Sequence, residues 1–158
     1  MSDRSEALAK KFEAAVDDLV KAIDECSDAK WQSQTEEEWS VAATAHHVAF
    51  QWSLEKEYLD AAVNGATSPQ YSWDDIHKRN ADHAAKFQSC TKEDAIKELR
   101  SGAPAMASFV RGLSDAQLDA TMALPLADGA TVTATQLIEG GVLIDHAVAH
   151  AKSIRGAG

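Results

Sequence analysis

The sequence predicts an all-α protein, a four-helix bundle with an additional helix and a short hairpin-like connection. Three observations predict it. Apolar residues recur at helical spacing over five long segments, Ser or Thr caps open most of them, and the only stretch of extended character, around 121–132, is too short for more than a small hairpin.

The first segment, 3–28, carries Leu8, Phe12, Val16, Leu19, Val20 and Ile23 as a stripe, with Asp, Glu and Lys on the opposite face. A polar connection from Ser27 to Ser40 follows and holds Trp31, Trp39 and the acidic run Glu36, Glu37, Glu38. Ser40 is a good N-cap for a second helix that runs to about Asn64 and stops at AsnGly. Val41, Ala45, Val48, Trp52 and Leu59 form one apolar face of that helix; Ala43, His47, Phe50, Leu54 and Tyr58 form another, so His47 points into the bundle. His46 falls at the edge of the buried region, near Ala42, Ala49 and Ser53.

Ser72 with Asp75 makes a capping box for a helix from Trp73 to about Ser89, and Thr91 with Asp94 repeats the signal for a helix reaching about Gly112. Ile96, Leu99, Met106, Phe109 and Val110 are its core candidates, and Pro104 is expected to kink it or to end a first piece near Gly102. Ser114 and Gln117 open a short turn of helix, and the stretch from Thr121 to Val132 reads as two extended pieces about an AspGly turn. Thr133 and Gln136 then launch one terminal helix, 133–155, with Leu143, His146, Ala147, His150 and Ile154 on its inner stripe.

All 158 residues fit one domain, 1–158, with 45% hydrophobic and 25% charged residues, and no apolar run approaches the length of a membrane span. The polar, acidic N-terminus lacks the features of a signal peptide, which leads us to expect a cytoplasmic protein with no membrane partner. A formal net charge of −10 argues against a phosphate-backbone partner, so a small-molecule substrate is expected and nucleic acid is not. Two cysteines, Cys26 and Cys90, form no CxxC motif and indicate neither a disulfide framework nor a thiolate metal site. Both read as half-buried small residues without the electropositive surroundings of a reactive thiol.

The chemistry concentrates in histidine. His146 and His150 are four residues apart, which on a helix stacks both rings on one face with Cβ atoms about 5–6 Å apart. Two imidazoles make an incomplete metal site, and the third donor is sought in the His46–His47 pair. His77 and His83, six apart, do not share a helix face and read as solvated. Trp39 reads as the aromatic cover on the start of the second helix, and Glu139 and Asp145 are the carboxylates considered for orienting ligands, Asp145 facing away toward solvent.

TrpSerVal at 39–41 followed by His47, with HisXxxXxxXxxHis at 146–150, resembles the DinB/YfiT-like helical bundles, the DNA-damage-inducible group that includes mycothiol- and bacillithiol-dependent transferases. Asn80 and LeuSerAspAlaGlnLeu at 113–118 add weaker support. The resemblance implies an up-down-down-up bundle, a homodimer, and His47, His146 and His150 as ligands to a divalent metal ion, Zn or Ni first among the metals that suit imidazole. It further implies a low-molecular-weight thiol as cosubstrate and no resident organic cofactor. Three functions follow as expectations: a metal-dependent thiol S-transferase, a metal-dependent hydrolase, and a non-catalytic metal or small-molecule binding protein of the stress response.

Overall fold

The computed structural model describes residues 2–158. Among these, four long helices form the bundle: α1 (Asp3–Asp24), α3 (Val41–Val63), α5 (Lys92–Arg111) and α8 (Ile144–Gly156). The other four α-helices of the described residues serve as connections: α4 (Trp73–Phe87) lies against α3, and α2 (Asp28–Trp31), α6 (Asp115–Leu118) and α7 (Ala134–Glu139) link the bundle elements. Within the bundle, helices α1 and α3 each pack on α5 and α8, so the first two long helices sit across the bundle from each other. This is the four-helix bundle with an additional helix that the periodicity predicts.

The caps behave as their side chains dictate. Ser2, Ser72, Thr91, Ser114 and Thr133 all close reciprocal capping boxes, and Ser40 accepts from the Ala43 amide at 3.0 Å. The α1 stripe is buried throughout: Leu8, Phe12, Val16, Leu19, Val20 and Ile23 all lie in the core. Strands β1 (Thr121–Leu124) and β2 (Ala130–Thr133) pair antiparallel with Met122 opposite Val132, and Asp128 takes the left-handed conformation at the turn.

Three expectations change. First, α1 ends at Asp24, and the stretch read as a plain connection contains α2, anchored by the buried Trp31, whose Nε1 donates to the Cys90 carbonyl at 2.9 Å. Second, α5 runs through Pro104 without ending at Gly102. At Gly102 the helix comes close to α3: a Cβ there would lie 2.8 Å from the Trp52 ring, so the residue is fixed by packing. Third, the terminal segment is two helices. Gly140 closes α7 by donating to the Gln136 carbonyl at 2.9 Å and then turns extended, with ψ −154°. A Cβ at Gly140 would fall 2.7 Å from that same oxygen, and α8 restarts only at Ile144. The break frees α8 to take its own angle, and α8 carries His146 and His150.

Candidate metal centre

A polar stripe runs along the buried side of α3. Thr44, His47, Gln51, Glu55 and Tyr58 follow one another at steps of three and four residues, and all five are buried. Facing it, α8 presents His146 and His150 one turn apart. The Nε2 atoms of the three histidines meet: His47 to His146 at 3.2 Å, and His146 to His150 at 3.0 Å. His47, His146 and His150 are therefore the His cluster of the described residues in which one donor atom from each lies within 4.8 Å of the others. The three histidines singled out from the sequence thus stand in one place.

Protons alone do not satisfy this arrangement. A neutral imidazole has one N–H and one lone pair, so the Nε2 of His146 can serve only one of its two close neighbours well. Protonating the rings is opposed by burial. Burial, with the charges of the neighbouring histidines and Arg79, pushes His47 down to about 2. Burial likewise pushes His146 to about 4, and His150 to about 4 with His146 adding to the effect and Glu37 opposing it. Three neutral imidazoles aiming lone pairs at one point suit a shared cation. Imidazole nitrogens bound to one ion at about 2.0–2.1 Å stand about 2.9 Å apart at right angles and about 3.3 Å apart at the tetrahedral angle. The two observed separations fall between those values.

The outer nitrogens are served unequally. His146 Nδ1 lies 2.8 Å from Glu55 Oε1, although the contact is not aligned as a hydrogen bond and both that nitrogen and Glu55 Oε2 lack an aligned partner. Burial raises the Glu55 carboxyl well above its ordinary value, with Arg79 acting weakly the other way. Both members of this contact thus favour their neutral forms, and positive charge on the Nε2 side of His146 would draw the pair toward imidazole N–H and carboxylate. His150 Nδ1 is 3.9 Å from Glu37 Oε1, while His47 Nδ1 has no partner and its ring lies 5.1 Å from that of Trp39.

Glu55 is the carboxylate beside the cluster that the sequence reading misses. Its signal is the three-and-four spacing of polar residues in an otherwise apolar helix. The carboxylates considered instead are elsewhere: Glu139 is exposed and pairs with Lys11 at 3.4 Å, and Asp145 is exposed on the far side of α8. His46 is buried and makes a contact of 2.8 Å from Nδ1 to His83 Nε2, away from the cluster. His83 is itself buried, 4% exposed, which corrects its reading as solvated: α4 turns it inward against Phe50 and Phe87. His77 is exposed and stacks on Trp73. Burial and Asp94 push the Cys90 thiol up to about 11, and burial raises Cys26, so neither is poised as a thiolate.

The cluster opens into a cavity of about 590 Å³ bounded by α3, α4, α8 and the hairpin. Trp39 and Glu37 stand at its wall beside the histidines, and Trp73 ties α4 to the hairpin through a 3.0 Å bond from Nε1 to the Leu126 carbonyl.

Comparison with known proteins places this geometry in a family. The DinB superfamily model matches residues 11–154, and the chain belongs to that superfamily. YfiT from Bacillus subtilis, described as a probable metal-dependent hydrolase with an unusual four-helix bundle topology, superposes with a TM-score of 0.72 at 15% identity, over 99% of this chain and 87% of its own. A mycothiol-dependent maleylpyruvate isomerase superposes with a TM-score of 0.70 at 18% identity, over 97% of this chain and 61% of its own. At these identities the likeness establishes the fold. No curated protein matches the sequence. The colibactin self-resistance protein ClbS, at 11% identity and a TM-score of 0.69 over 96% of this chain and 93% of its own, forms a complex with double-stranded DNA. That finding overturns the exclusion of nucleic acid drawn from net charge, because a chain's total charge does not fix the local potential of any one face. No helix of the described residues is long and apolar enough to cross a membrane.

Proposed function

We propose that this DinB-superfamily protein is a divalent-metal-dependent enzyme, that His47, His146 and His150 hold the ion through Nε2, and that the reaction is S-transfer from a low-molecular-weight thiol. The observation that carries the proposal is the convergence of three buried, neutral Nε2 atoms at 3.0 and 3.2 Å with no proton arrangement that satisfies them. Zn or Ni is the first choice for an all-imidazole set. When bound, such an ion favours the thiolate form of a thiol in its coordination sphere.

The protein's own residues supply the rest. Glu55 orients His146 from behind, and the packing of Trp39 on His47 holds that ring in register. The hairpin and Trp73 wall off one side of the cavity, which limits water at the reacting sulfur. Neither cysteine lines the cavity and both thiols are raised, so the nucleophile comes from outside the chain. The likeness to the mycothiol-dependent isomerase supports a thiol in this position.

Metal-dependent hydrolysis is the second reading. It is favoured by the description of YfiT and by Glu37, a carboxyl at the cavity wall on the side of His150. The deciding experiment loads the protein with Zn or Ni and follows conjugation of a chlorinated aromatic or an epoxide to bacillithiol, mycothiol, glutathione and cysteine, beside His47→Ala. Conjugation that falls at least a hundredfold in the variant is expected. Equal rates for both proteins with every thiol would overturn S-transfer, and metal-dependent ester or amide cleavage in the same preparation would establish the hydrolase.

A further inference from the structure

Beyond the histidines, the cavity wall offers a different kind of contact. Leu124, Leu126 and Val132 of the hairpin and Leu54 and Ile76 of α3 and α4 give it apolar walls. Two polar atoms of residues on that wall have no partner in the protein: the Tyr58 hydroxyl and the Asn80 amide oxygen. Tyr58 is 5% exposed, and burial, with Tyr71 and Glu57 adding to it, raises its phenol, so the hydroxyl keeps its proton and can donate as well as accept. An unpaired buried donor or acceptor is unfavourable, and a ligand group that reaches it recovers that loss.

The charge of the wall is one-sided. Its ionisable residues besides histidine and Tyr58 are Glu37 and Glu55, and no Lys or Arg lines it among the described residues. Arg79 of α4 stands outside the lining and is already engaged: it donates to Gln51 and to the Phe50 carbonyl, and its guanidinium lies 3.9 Å from the centre of the Phe50 ring. An anionic group held against this apolar wall would be desolvated with no basic side chain of the lining to pair with it.

Resting on the site proposed above, we infer that the second substrate is an uncharged, mainly apolar molecule of one or two rings that carries a single hydroxyl or carbonyl for Tyr58 and Asn80, and that anionic substrates are rejected. Such a molecule buries its ring faces against the hairpin and aims its polar group at the two unpaired atoms. The selectivity lies in the apolar wall with Tyr58 and Asn80, so it persists when the histidine cluster is disabled.

The probes are 1-naphthol, 2-methylnaphthalene and 1-naphthalenesulfonate, the last an anion and a poor metal ligand. Binding is read by calorimetry and by quenching of tryptophan fluorescence on the Zn-loaded protein, with no thiol present. Naphthol should bind at least tenfold more tightly than the sulfonate. Tyr58→Phe should weaken naphthol roughly fivefold and leave methylnaphthalene within about twofold, as loss of one hydrogen bond requires. Val132→Lys, on the hairpin, should reverse the order by strengthening the sulfonate. His150→Ala should leave naphthol binding within about twofold, which separates this inference from the metal chemistry: no conjugation by the metal-loaded wild type, with naphthol still bound, overturns only the S-transfer reading. Sulfonate binding equal to naphthol, or an unchanged naphthol affinity in folded Tyr58→Phe, overturns the inference even where conjugation is observed.

Discussion

His46 and His47 are neighbours in the chain and have opposite fates. His46 turns toward α4, where its Nδ1 meets His83 Nε2 at 2.8 Å and its ring stacks on Phe87 with centroids 3.9 Å apart. One proton shared between two nitrogens satisfies that contact, and the aromatic faces of Phe50 and Phe87 supply the rest of the packing. His47 turns toward α8, where three Nε2 atoms compete for the same space. The first group is a closed pair. The second is an open set of lone pairs, and the difference between them is the number of nitrogens that point at one place, not burial or residue type.

The comparison breaks most sharply on metal content. His47→Ala or His150→Ala should remove stoichiometric Zn or Ni, with affinity falling at least a hundredfold, while His83→Leu keeps it; elemental analysis of untagged protein measures both. Metal lost from His83→Leu and kept by His150→Ala would exchange the roles of the two groups.

Acid should act next, on the metal-free protein. His47, His146, His150 and His83 all have folded values held below the ordinary value, to about 2 for the first and about 4 for the others, with burial the leading cause. The unfolded chain therefore binds more protons as pH falls from about 6.5 toward 4. Their contribution to stability is complete above about 6.5 and is lost on the way down, at most about 1.4 kcal/mol per pH unit for each group. Urea midpoints at pH 7.5, 5.5 and 4.5 should fall in that order, and added metal should raise the first far more than the last, because protons displace it. A flat midpoint between 7.5 and 5.5 would show that the folded rings take up protons as readily as the unfolded chain does.

Glu55→Gln should be milder. It keeps the shape behind His146 and removes the carboxylate, so metal affinity should fall about 10–100-fold with unchanged stoichiometry. An unchanged dissociation constant by competition with a chelator would show that the 2.8 Å contact does not orient the ring. The smallest effect belongs to His77, exposed on α4 and stacked on Trp73. His77→Ala should leave metal affinity unaltered and change stability by no more than about 0.5 kcal/mol in a thermal melt.

Much of this was legible locally. Helical periodicity gives α1, α3, α4 and α5 nearly to their ends, because burial of one face is written as a stripe and the Ser and Thr caps mark where each stripe starts. The His146–His150 pair is legible for the same reason, since four residues on a helix fix two side chains on one face without any tertiary contact. The polar stripe of Thr44, His47, Gln51, Glu55 and Tyr58 was present in the letters too, although its apolar neighbours conceal it.

The order of residues therefore dictates which side chains share a face of one helix, a matter of backbone geometry over a few turns. Which faces meet was decided by tertiary structure. The break at Gly140 sets the direction of α8, the packing of α4 buries His83 and occupies His46, and the approach of α3 to α8 brings Glu55 behind His146 while leaving Glu139 and Asp145 in solvent. Residues 37 or 99 positions apart have no fixed relation along the chain, and only the docking of whole helices brings them within hydrogen-bonding distance.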